Sequence, residues 1–149
     1  MKKASLMFSL VTMFVAFTWA NAQGTLDKNV AVVPQGNFVR IVSIEPDSNM
    51  PLHVGDKVDF KVKIEYLLTD PKAAISLVIQ KAETDVKNLT DAVIASKTKA
   101  VSQGSGTVSL TQTITVVDTE TIQVFTPLIV EGEKQTQTVD SRTYEVKKR

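Results

Sequence analysis

No cysteine occurs in the 149 residues. That one absence excludes thiolate nucleophiles, cysteine-ligated metals, disulfide staples and a lipid-modified cysteine. The fold must therefore stand on its hydrophobic core alone. Histidine is nearly absent too, with a single residue, His53. A zinc centre needs several imidazole or thiolate ligands, and one ring cannot supply them. His53 follows Pro51 and Leu52 in a turn with no nucleophile pattern beside it, so it reads as a surface residue rather than the base of a Ser-His-Asp arrangement. Aromatic residues are only 6% of the chain, which leaves little for a sugar-stacking platform. No local pattern supports the paired carboxylates of a glycoside hydrolase. Glycine-rich phosphate loops, nucleophile elbows and paired-histidine zinc motifs are missing as well.

A dominant charge is also lacking. The first 22 residues carry Lys2 and Lys3 and no acid; without them 17 basic residues become 15 against 16 acidic, a net charge of −1. Such a chain has no basic field with which to gather nucleic acid. Lys147-Lys148-Arg149 is the one basic cluster of note and reads as a solvated, frayed tail.

Long hydrophobic runs are absent except at the N-terminus. There Lys2 and Lys3 precede the uncharged run Leu6–Trp19, and Ala20-Asn21-Ala22 has the small-x-small form of a cleavage site. The run is short for a membrane span of about 20 residues. Residues 1–22 are expected to be a signal peptide of bacterial style, cut before Gln23. The expected location is the periplasm, the extracellular space or the cell surface, with no membrane span after cleavage. Residues 23–37 form a leader with one apolar patch, Val30-Ala31-Val32-Val33, closed by Pro34 and Gly36.

From Phe38 onward, strand signals recur at the spacing of a sandwich or barrel. They cover Phe38–Ile44, Val54–Leu68, Ala74–Lys81, a weaker stretch Leu89–Val101, Thr107–Val117, Thr121–Val130 and Thr136–Val146. Turns are expected at Gly55-Asp56, Asp70-Pro71, Gly104-Ser105-Gly106 and Glu131-Gly132-Glu133. Lys72–Lys87 is rich in helix formers, yet Ile75, Val78 and Ile79 and the missing polar stripe favour strand. Asp118-Thr119-Glu120, Asp85 and Asp140 offer carboxylates, but no calcium-loop spacing joins them, and the first group reads as a turn. Asn88-Leu89-Thr90 is a glycosylation pattern expected to be unused in a bacterium. The expected domain is residues 38–149, an all-β Ig-like sandwich of about seven antiparallel strands in two sheets.

One stretch carries a resemblance. L-H-V-G-D-K-V-D-F-K-V-K-I-E-Y-L-L, Leu52–Leu68, resembles the turn and second strand of bacterial secreted Ig-like and fibronectin-III-like modules, which show V-G-D-x-V-x-F-x-V. The likeness covers that strand plus the general spacing over Phe38–Val146, and it implies a fold but no activity. The Cys…Trp…Cys core of antibody domains is absent, Trp19 falls in the signal segment, and no tyrosine corner is evident.

In Val54–Leu68, Val58, Phe60, Val62, Ile64 and Tyr66 point to one face, while Lys57, Asp59, Lys61, Lys63 and Glu65 point to the other. Ala74–Gln80 and Ile122–Val130 differ, because neither face of either carries a charge. With Ile75, Leu77, Ile79, Ile122, Val124, Leu128 and Val130 inside, Val78, Phe125 and Ile129 stand outside. Three arrangements are compatible with that. The outer face is a docking or self-association surface; the leader patch covers it; or a bulge at Pro127 flips the phase and buries both Phe125 and Leu128. Val30 and Val32 also suggest donor-strand exchange with a neighbour. The sequence thus points to a non-catalytic exported module with no cofactor or metal, acting on a protein partner or on itself. Its candidate interface residues are Val78, Phe125, Ile129, Val30 and Val32.

Overall fold

The structure, a computed structural model, describes residues 36–82 and 92–149. The expected signal peptide, leader residues Val30 and Val32, Asp85 and the Asn88 pattern lie outside them. The described elements are all strands: β1 (Phe38–Glu45), β2 (Leu52–His53), β3 (Lys57–Lys81), β4 (Val93–Thr115), β5 (Thr121–Val130) and β6 (Thr138–Lys147). No helix among the described residues is long and apolar enough to cross a membrane.

Seven strand segments were expected, and two pairs of them are fused. β3 runs for 25 residues and β4 for 23, paired antiparallel from Lys57 opposite Thr115 to Gln80 opposite Val93. Their register shifts between Leu68 and Lys72. Before the shift Phe60, Val62, Ile64 and Leu68 are buried; after it Ala73, Ile75, Leu77 and Ile79 are. The buried phase thus changes from even to odd numbers, which places the corner at Thr69–Pro71. Pro71 has no N–H to give a ladder, so the disruption falls where pairing is already interrupted. Asn37 fastens the corner. Its side chain accepts from the Thr69 N–H at 2.7 Å and donates to Asp70 at 2.6 Å.

Each half of β3 belongs to a different layer. The first half pairs with β1 and the C-terminal half of β4; the second pairs with the N-terminal half of β4 and with β5, which pairs with β6. The all-β, Ig-like sandwich is therefore present, with two strands shared between its sheets. One core fills the space between them, and Phe60 of the first layer meets Tyr144 of the second edge to face at 5.3 Å. Burying Phe60, Val62 and Ile64 is worth about 1.5–3 kcal/mol each, as an upper bound.

Several expectations need correction. Gly104-Ser105-Gly106 is not a turn but part of β4. Gly106 lies opposite Tyr66, and a Cβ there would come 2.8 Å from the Tyr66 hydroxyl; the glycine makes room for a ring rather than reversing the chain. Asp70-Pro71 marks a corner within β3 instead of its end. Not every pairing is antiparallel, because β2 runs parallel to the end of β6, Leu52 beside Val146. The basic tail is not free. Lys147 closes β6, Lys148 pairs with Asp118 at 3.2 Å, and Arg149 bonds Asp56. The Glu131-Gly132-Glu133 turn stands as expected, with Glu133 N–H donating to Val130 C=O at 3.0 Å.

Candidate interaction face

Side chains on the outside of the second layer follow from its register. Val78 lies opposite Ser96 on β4 and opposite Phe125 on β5, and Phe125 lies opposite Ser141 on β6. The row is therefore Ser96, Val78, Phe125, Ser141. Beside it runs Gln80, Gln123 and Thr143, the two glutamines bonded at 3.3 Å. On the other side stand Ser76 and Thr98, hydroxyl to hydroxyl at 2.7 Å, with Pro127 and Val139 continuing the row. Ala100, Ala74 and Ile129 form the next. None of these positions is charged; charge enters only at the ends of the face, where Lys72 pairs with Glu131 at 3.9 Å and Glu145 stands opposite Thr121.

This face brings together three of the sequence candidates, Val78, Phe125 and Ile129. The bulge expected as one alternative at Pro127 is not there. Pairing with β6 runs unbroken from Thr121–Glu145 to Leu128–Thr138, and with β3 the same register holds on both sides of Pro127. Even-numbered Ile122, Val124, Thr126, Leu128 and Val130 all face the core. Phe125 and Leu128 are nonetheless both buried, as that alternative expected, for Phe125 on the outer side is only 8% exposed and Pro127 beside it is buried too; Val78 and Ile129 are half-buried and Val139 is 42% exposed.

The first layer's outer face is different. Lys57, Asp59, Lys61, Lys63 and Glu65 alternate with the buried residues of β3. Arg40 pairs with Glu65 at 2.5 Å, Lys61 with Glu45 at 3.4 Å, and Thr113 donates to Asp59 at 2.6 Å. This is a solvated ion-pair surface.

Polar side chains close both open sides of the sandwich. On one, Asp140 accepts from Ile41 N–H at 2.7 Å and Arg142 donates to Ile41 C=O at 3.2 Å, with the two side chains paired at 2.9 Å. They occupy the backbone groups of β1 that a further strand would take. Opposite, Lys97 lies in the inward phase beside Leu77 and donates to Thr111 C=O at 3.2 Å. Sequence reasoning assigned neither role; an inward charge on an edge strand looks the same in sequence as an outward one. Tyr144 was missed too. It is fully buried, and its hydroxyl donates to Pro46 C=O at 2.7 Å. Burial pushes its phenol far above the ordinary value; Asp47 adds to the rise and Arg142 opposes it.

The remaining chemistry candidates are dispersed. His53 Nδ1 is 3.9 Å from Asp56, whose other oxygen receives Arg149. Asp140 is committed to Ile41, Ser141 and Arg142. No group of three or more metal-ligating side chains gathers among the described residues. A shallow depression of about 340 Å³ beside β1 is lined by Ile41–Ile44, Asp47–Asn49 and Arg142. The Arg142 guanidinium there is already engaged by Asp140 and by Ser141 and Ile41 carbonyls.

No protein-family profile matches the chain, and no curated protein does. Among solved structures it is similar to a CARDB domain from Pyrococcus furiosus, determined in complex with di-metal ions. The identity is 12% and the TM-score 0.42, over 74% of this chain and 90% of that one.

Proposed function

We propose that this chain is a non-catalytic binding module of an exported bacterial protein, acting through protein–protein contacts made by the uncharged outer face. The observation that carries this reading is the contrast between the two outer faces of one sandwich. Solvation alone favours charge on both, and the first layer has it. The second has Ser, Thr, Gln, Ala, Val, Phe, Pro and Ile across the middle of four strands, with Lys72, Glu131 and Glu145 only at its ends. Interface cores are depleted in charge, because an unpaired charge is costly to desolvate. Export is supported by the Lys2-Lys3 start, the Leu6–Trp19 run and Ala20-Asn21-Ala22.

Site-specific photo-crosslinking in cells tests the reading. A photo-reactive phenylalanine analogue is placed at position 78 in one version of the protein and at position 63 in another. The reading predicts discrete protein adducts from position 78 and few from position 63. Equal adducts from both, or none from position 78, contradict it. Fractionation and N-terminal sequencing of the same protein check export and cleavage before Gln23.

A further inference from the structure

We infer that the outer edge of β4 in the first layer pairs with the same edge of a second copy of this chain, antiparallel about a two-fold axis at Thr111. The two first layers then join into one continuous sheet. This edge is separate from the uncharged face. The C-terminal half of β4 pairs with β3 on one side and with no strand among the described residues on the other. Val116 N–H donates to Asp56 C=O at 2.8 Å, so the even-numbered residues of this half turn their backbone groups toward β3. Odd-numbered Thr107, Ser109, Thr111, Thr113 and Thr115 turn theirs away. Side-chain donors agree with that phase: Lys97 reaches Thr111 C=O and Gln112 reaches Thr113 C=O. A row of outward N–H and C=O groups is a template for another chain.

The edge complements itself. It reads T-V-S-L-T-Q-T-I-T, Thr107–Thr115, nearly the same in both directions. An antiparallel pairing centred on Thr111 sets Thr107 opposite Thr115, Ser109 opposite Thr113 and Thr111 opposite itself. All of these residues have outward backbone groups, so each pair exchanges two N–H···O=C bonds. Their side chains are exposed, and hydroxyl pairs across strands are favourable. On the inner side Val108 meets Ile114. Leu110 opposite Gln112 is the one mixed pair.

Charge selects the same axis. Beside these residues β3 carries Lys57, Asp59, Lys61, Lys63 and Glu65. The two-fold puts Lys57 in one row with Glu65 of the second copy, and Asp59 in one row with Lys63. Opposite charges thus face each other across the seam, on strands about 14 Å apart. Only Lys61 meets its own kind, and Glu45 pairs with it at 3.4 Å. Sliding the pairing so that Thr111 meets Ser109 would set Asp59 against Glu65 and Lys61 against Lys63. The opposite slide, Thr111 to Thr113, would set Lys57 against Lys63. Lys97 is the element that opposes the contact. Its ammonium sits at Thr111 C=O, on the axis, and the carbonyl keeps a second lone pair for the N–H of the other copy. Two Lys97 ammoniums then lie near each other, an inward charge of the kind that restrains edge pairing. Lys97 therefore sets how tight the dimer is.

Sedimentation velocity on the full-length protein reads the association. A rise from monomer mass to twice that mass with concentration is expected. Lys97→Gln moves the rise to lower concentration. Thr111→Pro abolishes it; the Thr111 N–H points away from β3, so proline removes no ladder bond within the fold. Disulfide trapping reads the register, since the chain has no cysteine of its own. Thr111→Cys puts two thiols at the axis, on residues with Cα atoms about 5.5 Å apart, and a covalent dimer is expected. Thr107→Cys lies about 27 Å from its counterpart and is expected to give none, while Thr107→Cys with Thr115→Cys restores the dimer. A monomer at every concentration, in the Lys97→Gln variant as well, overturns the inference. So does equal trapping at positions 107 and 111, or a dimer that Thr111→Pro leaves intact.

Discussion

β3 passes through both layers and shows two kinds of outer surface. Before the corner its solvent side reads Lys57, Asp59, Lys61, Lys63, Glu65; after it the side opens on Lys72, paired with Glu131 at the rim, and then reads Ala74, Ser76, Val78, Gln80. Both halves bury apolar residues at alternate positions and pair with the same partner strand. The core therefore cannot be what makes the outer faces differ. The charged half answers to water. The uncharged half answers to something that removes water, which is why the difference is informative about function.

The strongest way to break this comparison is to write the same charge on both faces. Phe125→Asp places an unpaired carboxylate at a position 8% exposed, and a loss of about 3 kcal/mol or more is expected in urea unfolding. Lys63→Asp on the other face is expected to stay within about 0.5 kcal/mol. Equal effects would erase the distinction.

A second test addresses what holds the two layers together at their open side. Asp140→Ala leaves Ile41 N–H without its acceptor and Arg142 without its carboxylate partner, at a cost of about 1–3 kcal/mol in thermal or denaturant unfolding. Tyr144→Phe leaves Pro46 C=O without its donor and costs about 0.5–1.5 kcal/mol. Tyr144 also sets a pH dependence. Below about pH 10 both folded and unfolded chains hold the phenol proton. Above it the unfolded chain releases the proton and the buried phenol keeps it, so the stabilisation is complete below about pH 10 and is lost as pH rises through the raised folded value. The stability gap between wild type and Tyr144→Phe should narrow over that alkaline range.

The smallest effect is expected on the charged face. Arg40→Ala removes an exposed pair with Glu65 and should cost under about 1 kcal/mol, less in high salt. A larger, salt-insensitive loss would mean that this face is not simply solvated.

Much of this was legible in the sequence for a physical reason. Side-chain alternation has a period of two, so Phe60, Val62 and Ile64 declared their face, and the uncharged runs around Val78 and Phe125 declared theirs. The fusion of strands at Thr69–Pro71 was hidden, because Asp70-Pro71 signals an interruption without saying whether the chain turns back or turns a corner. Gly106 misled for a related reason: a glycine that admits the Tyr66 ring looks like a glycine that permits a turn. The contributions of Ser96, Ser141 and Thr143 to the neutral face were obscured by Lys97, Asp140 and Arg142, charges of the opposite phase on the same strands. Closure of the open sides by Lys97, Asp140 and Arg142 depends on distances across the sandwich, and no local pattern carries them.

A cysteine-free chain allows a direct test of the central claim, that the uncharged face is a protein-contact surface. Ser96→Cys on the uncharged face and Lys63→Cys on the charged face are each labelled with a thiol-reactive photo-crosslinker, mixed with an extract of the native envelope and illuminated. The account predicts discrete protein adducts from position 96 and few from position 63. No adduct from position 96, or equal adducts from both, would contradict it.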